Sequence, residues 1–169
     1  TIFGNAGEDT IIALCGNDNV WGDSGNDLIE AGNGNDAISG GAGQDTVSGG
    51  AGADIILGDG ESDDLYGNDG NDLMYGGLQG DSLWGGTGND TLLGEGGADL
   101  LDGGSGIDMV SYETSTRSVR VDLEKPELSY NDAVGDQFVD IEVFQAGGYV
   151  DQLRGDDADN IFYGGGRTD

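Results

Sequence analysis

The sequence predicts an all-β fold: a right-handed parallel β-roll, or β-solenoid, with two nine-residue repeats in each coil. Three observations predict it. An aspartate stands at every ninth position in an unbroken run, as Asp9, Asp18, Asp27, Asp36, Asp45, Asp54, Asp63, Asp72, Asp81, Asp90, Asp99 and Asp108. The residue two places after each aspartate is apolar in every case: Ile11, Val20, Ile29, Ile38, Val47, Ile56, Leu65, Met74, Leu83, Leu92, Leu101 and Val110. Glycine stands two places before the aspartate as Gly7, Gly16, Gly25, Gly34, Gly43, Gly52, Gly70, Gly88, Gly97 and Gly106, and five places before it as Gly4, Gly22, Gly40, Gly49, Gly58, Gly67, Gly76, Gly85, Gly94 and Gly103. A strict short period marks one small structural unit stacked many times.

Each element follows from the unit G-G-x-G-x-D-x-U-x, with U apolar, which is nearly pure in Gly40-Gly41-Ala42-Gly43-Gln44-Asp45-Thr46-Val47-Ser48. The glycine-rich six residues predict turns, since glycine loses the most backbone freedom inside a regular element and is favoured where φ is positive. Gly41, Gly50 and Gly86 add to this composition four places before their aspartates. The remaining x-U-x predicts a three-residue strand with U facing inward and its neighbours outward. Two units make a circuit of strand, turn, strand, turn, and stacked circuits give two parallel sheets with the U residues between them. The regular roll spans residues 1–111. Residues 112–150 predict a longer irregular coil: Ser118 to Leu123 alternates as a strand, Glu124 to Gly135 is a polar loop holding the only proline, Pro126, and Gln137 to Gln145 is a second strand. Over 151–169 the ladder resumes in a new phase, as Asp151, Asn160 and Asp169 with Leu153 and Phe162 at the apolar position. Both ends fall inside a repeat, so the expectation is a segment of a longer array.

The two outward faces differ. One carries a mixed set that includes Thr10, Glu30, Ser48, Tyr66 and Trp84, while the other is apolar in its middle and end, through Ile55, Leu57, Leu73, Tyr75, Leu93 and Met109, closing on Ser111. Strand propensity accounts for much of this pattern. A docking surface, for another part of a larger parent chain or for self-association with a second roll, is the other reading, and aromatic platforms for sugar stacking are a third.

Charge narrows the function. The chain has 169 residues, with 34 Asp and Glu against 5 Lys and Arg, for a net charge of −29. Phosphate backbones and anionic lipid repel such a polyanion, which argues against nucleic-acid partners and membrane surfaces. No apolar run reaches the length of a membrane span, and no signal peptide opens the chain. Histidine is absent, which removes the commonest general base and a Ser/His/Asp arrangement. Twelve equivalent aspartates also single out no catalytic pair, so no enzymatic activity is expected. Cys15 is the only cysteine and reads as an incidental thiol, with an interchain link or a reactive thiol as the alternative.

One buried aliphatic side chain for every nine ordered residues is a thin core, and the aspartates repel one another. Something must bind the folded state and cancel charge. Calcium suits the residues present, because it takes six to eight oxygen ligands in flexible geometry and a glycine-rich turn offers carboxylates beside uncluttered carbonyls. Zinc and copper would call for imidazole or thiolate. Turn-capping by the aspartates alone explains neither their fixed phase nor the partner glycines. The repeat resembles the calcium-binding nonapeptide of the RTX (repeats-in-toxin, hemolysin-type) proteins. Tyr112, the run Val119-Arg120-Val121-Asp122-Leu123 and Gly135 to Glu142 also resemble segments that interrupt the repeats of that family.

The resemblance implies an ion between turns two repeats apart. It takes carbonyls of the second and fourth positions and the aspartate of one turn, and carbonyls of the first and third positions and the aspartate of the turn above. Carried onto this chain, the first site uses Asn5, Gly7, Asp9, Gly22, Ser24 and Asp27. The period sorts the aspartates into two columns, one from Asp9 to Asp99 and the other from Asp18 to Asp108, with five gaps each. Up to about ten Ca2+ fit, which would bring the charge to about −9. Glu61 and Gln79 replace glycine in the first column, so a weak, distorted or missing ion is expected around Asp63 and Asp81. The expected function is a calcium-binding module of a secreted or cell-surface bacterial protein, exported through a type I channel, folding outside and stabilising an elongated adhesin, surface-layer or filament scaffold. The alternative is a secretion and folding module appended to an extracellular protease, lipase or alginate epimerase.

Overall fold

A computed structural model describes residues 1–166. The chain winds as a parallel β-roll. One sheet has nine strands, Ile2–Phe3, Asn19–Ser24, Ala37–Ala42, Ile55–Gly60, Leu73–Leu78, Thr91–Gly96, Met109–Ser111, Val143–Gln145 and Ile161–Tyr163. The facing sheet has seven, Thr10–Ile12, Leu28–Asn33, Thr46–Ala51, Asp64–Asp69, Ser82–Thr87, Leu100–Ser105 and Gln137–Val139. Within the regular part each residue pairs in parallel with the one a full coil further on, as Leu65 with Leu83 and Leu83 with Leu101.

Most strands are six residues long where three were expected. The chain bends at the first glycine of the turn and then pairs again: in Ser82–Thr87 the register runs through Trp84, skips Gly85 and resumes at Gly86 and Thr87. The first half of each turn therefore stays in the ladder, and the reversal is confined to the second half. The inner column is a dry core, with Val20, Val47, Leu65, Leu83 and Val110 fully buried.

Past Ser111 both sheets continue, but through a rearranged coil. The segment from Gln137 to Gln145 is two strands, because Asp140, at φ 49°, turns a corner between them. Gln137–Val139 pairs with Leu100–Asp102 in one sheet, and Val143–Gln145 pairs with Met109–Ser111 in the other. Arg120–Asp122 forms a separate parallel ribbon with Gln152–Arg154. Phe144 packs edge-on to Phe138 at 5.2 Å between ring centres and lies 5.7 Å from Phe162, which gives this end an aromatic core that the nonapeptide region lacks. On the apolar outward face Ile55 is 44% exposed, whereas Leu93 and Ser111, expected to face solvent, are only 1% and 3% exposed. The short 3₁₀ turn Asn131–Ala133 packs against the strand that carries Leu93. No helix among the described residues is long and apolar enough to cross a membrane.

Leu65→Ala removes a fully buried side chain and is expected to cost about 2–5 kcal/mol. Leu28→Ala, on the outward face at 42% exposure, is expected to cost less than about 0.5 kcal/mol. Urea unfolding at saturating calcium measures both, and equal effects would mean that the inner column is not the core.

Candidate metal sites at the turns

The turns place every aspartate of the ladder in one repeated geometry. From Asp9 to Asp90 the backbone N–H of each donates to Oδ1 of the aspartate one coil above: Asp9 to Asp27 at 2.8 Å, Asp18 to Asp36 at 2.7 Å, Asp45 to Asp63 at 2.8 Å, Asp63 to Asp81 at 2.9 Å and Asp90 to Asp108 at 2.8 Å. The second oxygen, Oδ2, is buried with no hydrogen-bond partner in Asp9, Asp27, Asp36, Asp45, Asp54, Asp63, Asp72, Asp81, Asp90, Asp99 and Asp108. Asp18, at the lower end of its column, differs: its side chain is 25% exposed, and Oδ1 lies 3.9 Å from the N-terminal amine. A carboxylate oxygen removed from water without a partner is costly. It recurs at one position of the turn, where a cation would relieve it.

The first glycine of the turn lets oxygens come close to the backbone. A Cβ built on Gly58 would lie 2.5 Å from Asp63 Oδ2 and 2.6 Å from the Gly76 carbonyl oxygen, and one on Gly76 would lie 2.6 Å from Asp81 Oδ2 and 2.9 Å from the Gly94 carbonyl. Gly22 faces Asp27 Oδ2 and the Gly40 carbonyl in the same way. A bare carboxylate oxygen and a carbonyl from the turn above thus converge beside a glycine whose place no residue with a Cβ could take without moving them. Hard oxygens are the donor set that Ca2+ takes and that soft metals do not. Among the described residues no group of three or more Asp, Glu, His or Cys side chains gathers at one point, so any ion depends on backbone carbonyls as much as on carboxylates.

For the first expected site, Asp9, Asp27 and the Gly22 carbonyl lie on the inner side of stacked turns. The Asn5 carbonyl accepts the Ser24 N–H at 2.9 Å and the Ser24 carbonyl accepts the Gly7 N–H at 2.8 Å, so these oxygens also serve the backbone ladder. Asp151 stands apart from both columns, its Oδ1 accepting the Val119 N–H at 2.7 Å. Asp169 lies outside the described residues.

The columns are not equivalent. In the second, Gly16, Gly34, Gly52, Gly70 and Gly88 each donate N–H to the third-position carbonyl of the next turn at 2.8–2.9 Å. In the first, Gly7 and Gly25 do so at 2.8 Å, but among the described residues Gly43, Glu61 and Gln79 do not. Glycine takes φ of 135° at Gly43 and 136° at Gly52, whereas Glu61 and Gln79 sit at 73° and 75°, within the narrow left-handed region open to a residue with a Cβ. The aspartate ladder nevertheless runs through Asp63 and Asp81 at full strength.

From Asp45 to Asp108 burial is the largest influence on the ladder carboxyls and raises them. Asp63 is pushed up to about 8, against the lowering effect of the Asp45 N–H and with Asp45, Asp81 and Asp59 adding repulsion. Burial lifts Asp81 to about 7 and Asp72 and Asp99 to about 6. Asp45, Asp54, Asp90 and Asp108 are raised for the same first cause.

Several contributors escaped the sequence reading. An asparagine ladder runs beside the aspartates in the opposite sense: Asn17 Oδ1 accepts the Asn35 N–H at 3.0 Å, Asn26 the Gln44 N–H at 2.9 Å, Asn71 the Asn89 N–H at 2.8 Å and Asn89 the Ile107 N–H at 2.8 Å. Its signal is the recurring Asn-Asp pair of the repeats. Asp136 continues the first column, accepting the Asp99 N–H at 3.1 Å, and Glu142 continues the second, its Oε2 accepting the Asp108 N–H at 2.9 Å.

Fold and turns together define a calcium-binding parallel β-roll. The profile of the RTX calcium-binding nonapeptide repeat matches residues 1–29, 15–47, 48–83, 75–110 and 140–168. These stretches cover most of the chain, which belongs to the RTX calcium-binding repeat family. Among curated proteins none matches it significantly.

The raised carboxyls fix the sign of a pH dependence. An aspartate held above its ordinary 3.8 in the folded chain binds its proton more tightly there than in the unfolded chain. Without calcium, folding is therefore favoured near pH 4 and disfavoured progressively as pH rises through 6 to about 8. Circular dichroism in calcium-free buffer is expected to show sheet content growing on acidification from pH 8 to pH 4.5, and sheet content that ignores pH would refute this.

Proposed function

We propose that the chain is a non-catalytic, calcium-dependent folding module of a secreted or surface-exposed bacterial protein. The observation that carries this reading is the buried Oδ2 without a hydrogen-bond partner, repeated from turn to turn beside the backbone. Such a structure pays for its buried carboxylates with bound ions. In a calcium-poor cytosol the polyanion stays unfolded and passes an export channel as a chain; outside, each ion bound only by the folded form adds RT ln(1 + [Ca]/Kd) to stability. The gaps of the two columns hold up to about ten ions, with Asp63 and Asp81 flanking the weak ones. The finished roll is an elongated scaffold, and its half-exposed apolar face, with Ile55, Leu57, Leu73 and Tyr75, supports association with other parts of an adhesin, surface layer or filament.

Calcium at millimolar concentration is expected to convert the chain from disordered to sheet-rich in circular dichroism, and chelator to reverse it. Equal sheet content in both conditions at neutral pH would refute the module. Glu61→Gly combined with Gln79→Gly is expected to move the calcium midpoint several-fold lower by restoring the wide φ of glycine. An unchanged midpoint would mean that these two turns already bind as well as the rest.

A further inference from the structure

The first column ends differently from the way it runs. Asp136 takes the place above Asp99, 37 residues on, and its Oδ1 accepts the Asp99 N–H as in the turns below. Its Oδ2 does not share the orphaned state of theirs: it accepts the hydroxyl of Tyr112 at 2.7 Å, and Tyr112 is itself 2% exposed. Both oxygens of Asp136 are thus met by protein donors. The position that opens the turn, a glycine cradle in the ten turns below that carry one, is Asn131, at φ 59°, with its side-chain amide donating to the Ser118 carbonyl at 2.5 Å.

A second carboxylate of the same region follows the same rule. Asp122 is fully buried, and its oxygens accept Arg120 at 2.8 Å and the Lys125 N–H at 3.0 Å, with Arg154 at 3.6 Å. All five Lys and Arg side chains of the chain, Arg117, Arg120, Lys125, Arg154 and Arg167, lie beyond Ser111, while residues 1–111 contain none. Up to Ser111 no Lys or Arg meets the carboxylates, and the N-terminal amine reaches only Asp18. Beyond it, fixed donors are supplied.

We propose that the Tyr112 hydroxyl stands where an ion stands lower in the column, so that the gap between Asp99 and Asp136 binds no calcium and Tyr112 ends the first ion column. This rests on the calcium reading of the turns. A tyrosine O–H offers a donor and no mobile charge, so this level is assembled at any calcium concentration that folds the level beneath it. The first ion column gains an end that does not fray as calcium falls.

The test is the number of ions bound, measured by equilibrium dialysis with calcium on the full chain. Asp136→Asn is expected to bind as many ions as wild type, because no ion uses that carboxylate, while Asp81→Asn is expected to lose at least one. Tyr112→Phe is expected to keep the wild-type count and to melt a few degrees lower at saturating calcium, since it leaves a buried carboxylate oxygen unpaired. Loss of one ion in Asp136→Asn or in Tyr112→Phe, or an unchanged Tm in Tyr112→Phe, would overturn the proposal. Should Asp136→Asn fail to fold, the ion count of Tyr112→Phe decides. A wild-type chain that binds no calcium would instead refute the underlying reading of the turns.

Discussion

One half-satisfied carboxylate, repeated, governs the structure. From Asp27 to Asp108 each aspartate accepts the N–H of the aspartate below at Oδ1 and keeps Oδ2 buried. The first contact fixes the spacing of the coils, and the second sets the demand for a counter-charge. Both follow from placing the residue at the end of a glycine turn, where its N–H points along the solenoid axis and the first glycine lets its carboxylate pack against the backbone. A fully exposed carboxylate would leave folding independent of ions. A fully paired one would also do so. Burial of one oxygen and fixation of the other couple the coil geometry to the ionic medium.

Because each aspartate bonds only to the next coil, stability is a chain of nearest-neighbour links. The Gly43, Glu61 and Gln79 positions show how such a chain tolerates a fault. The fourth-position N–H bonds lapse there in the first column, but the aspartate ladder and the Asp45–Asp63–Asp81 succession persist, and the opposite column is uninterrupted. A coil is closed by two edges and two sheets, so the loss of one backbone bond leaves three other connections in place. The repulsion is not relieved in the same way: Asp59 adds to the charge around Asp63, the aspartate whose carboxyl is raised highest.

The nine-residue period made most of the roll legible, since aspartate, glycine and apolar residue recur with it and each has one structural use. It also located both edge columns. The length of the strands was not legible, because the pairing of Gly86 and Thr87 after the bend at Gly85 is a property of stacked turns and not of any one turn. The ends of the columns were hidden for a different reason. Asp136 and Glu142 stand 37 and 34 residues beyond their partners, neither of which is a multiple of nine, so periodicity could not assign them. Gln137 to Gln145 read as one strand because alternation is blind to a corner, and the positive φ of Asp140 divides it between two sheets. The asparagine ladder was visible as Asn-Asp pairs, but an uncharged residue at a variable position carries little weight until the N–H that it accepts is seen.

At the top of the roll the same structural position is served by different chemistries. Asp99 keeps an oxygen unpaired, Asp136 has it bound by Tyr112, and in the other column Asp108 is followed by Glu142 and then by Asn160, which lies beside it in the pairing of Val143–Gln145 with Ile161–Tyr163. Asn160 places its Oδ1 against Gly155, as an aspartate would, without the charge. The backbone therefore does not require an ion at every level; it requires an acceptor at the head of each strand. Net charge at that acceptor is a separate variable, set residue by residue. A solenoid built this way can lengthen by adding charged levels that need calcium, and can stop by adding levels that do not, without changing the path of the chain.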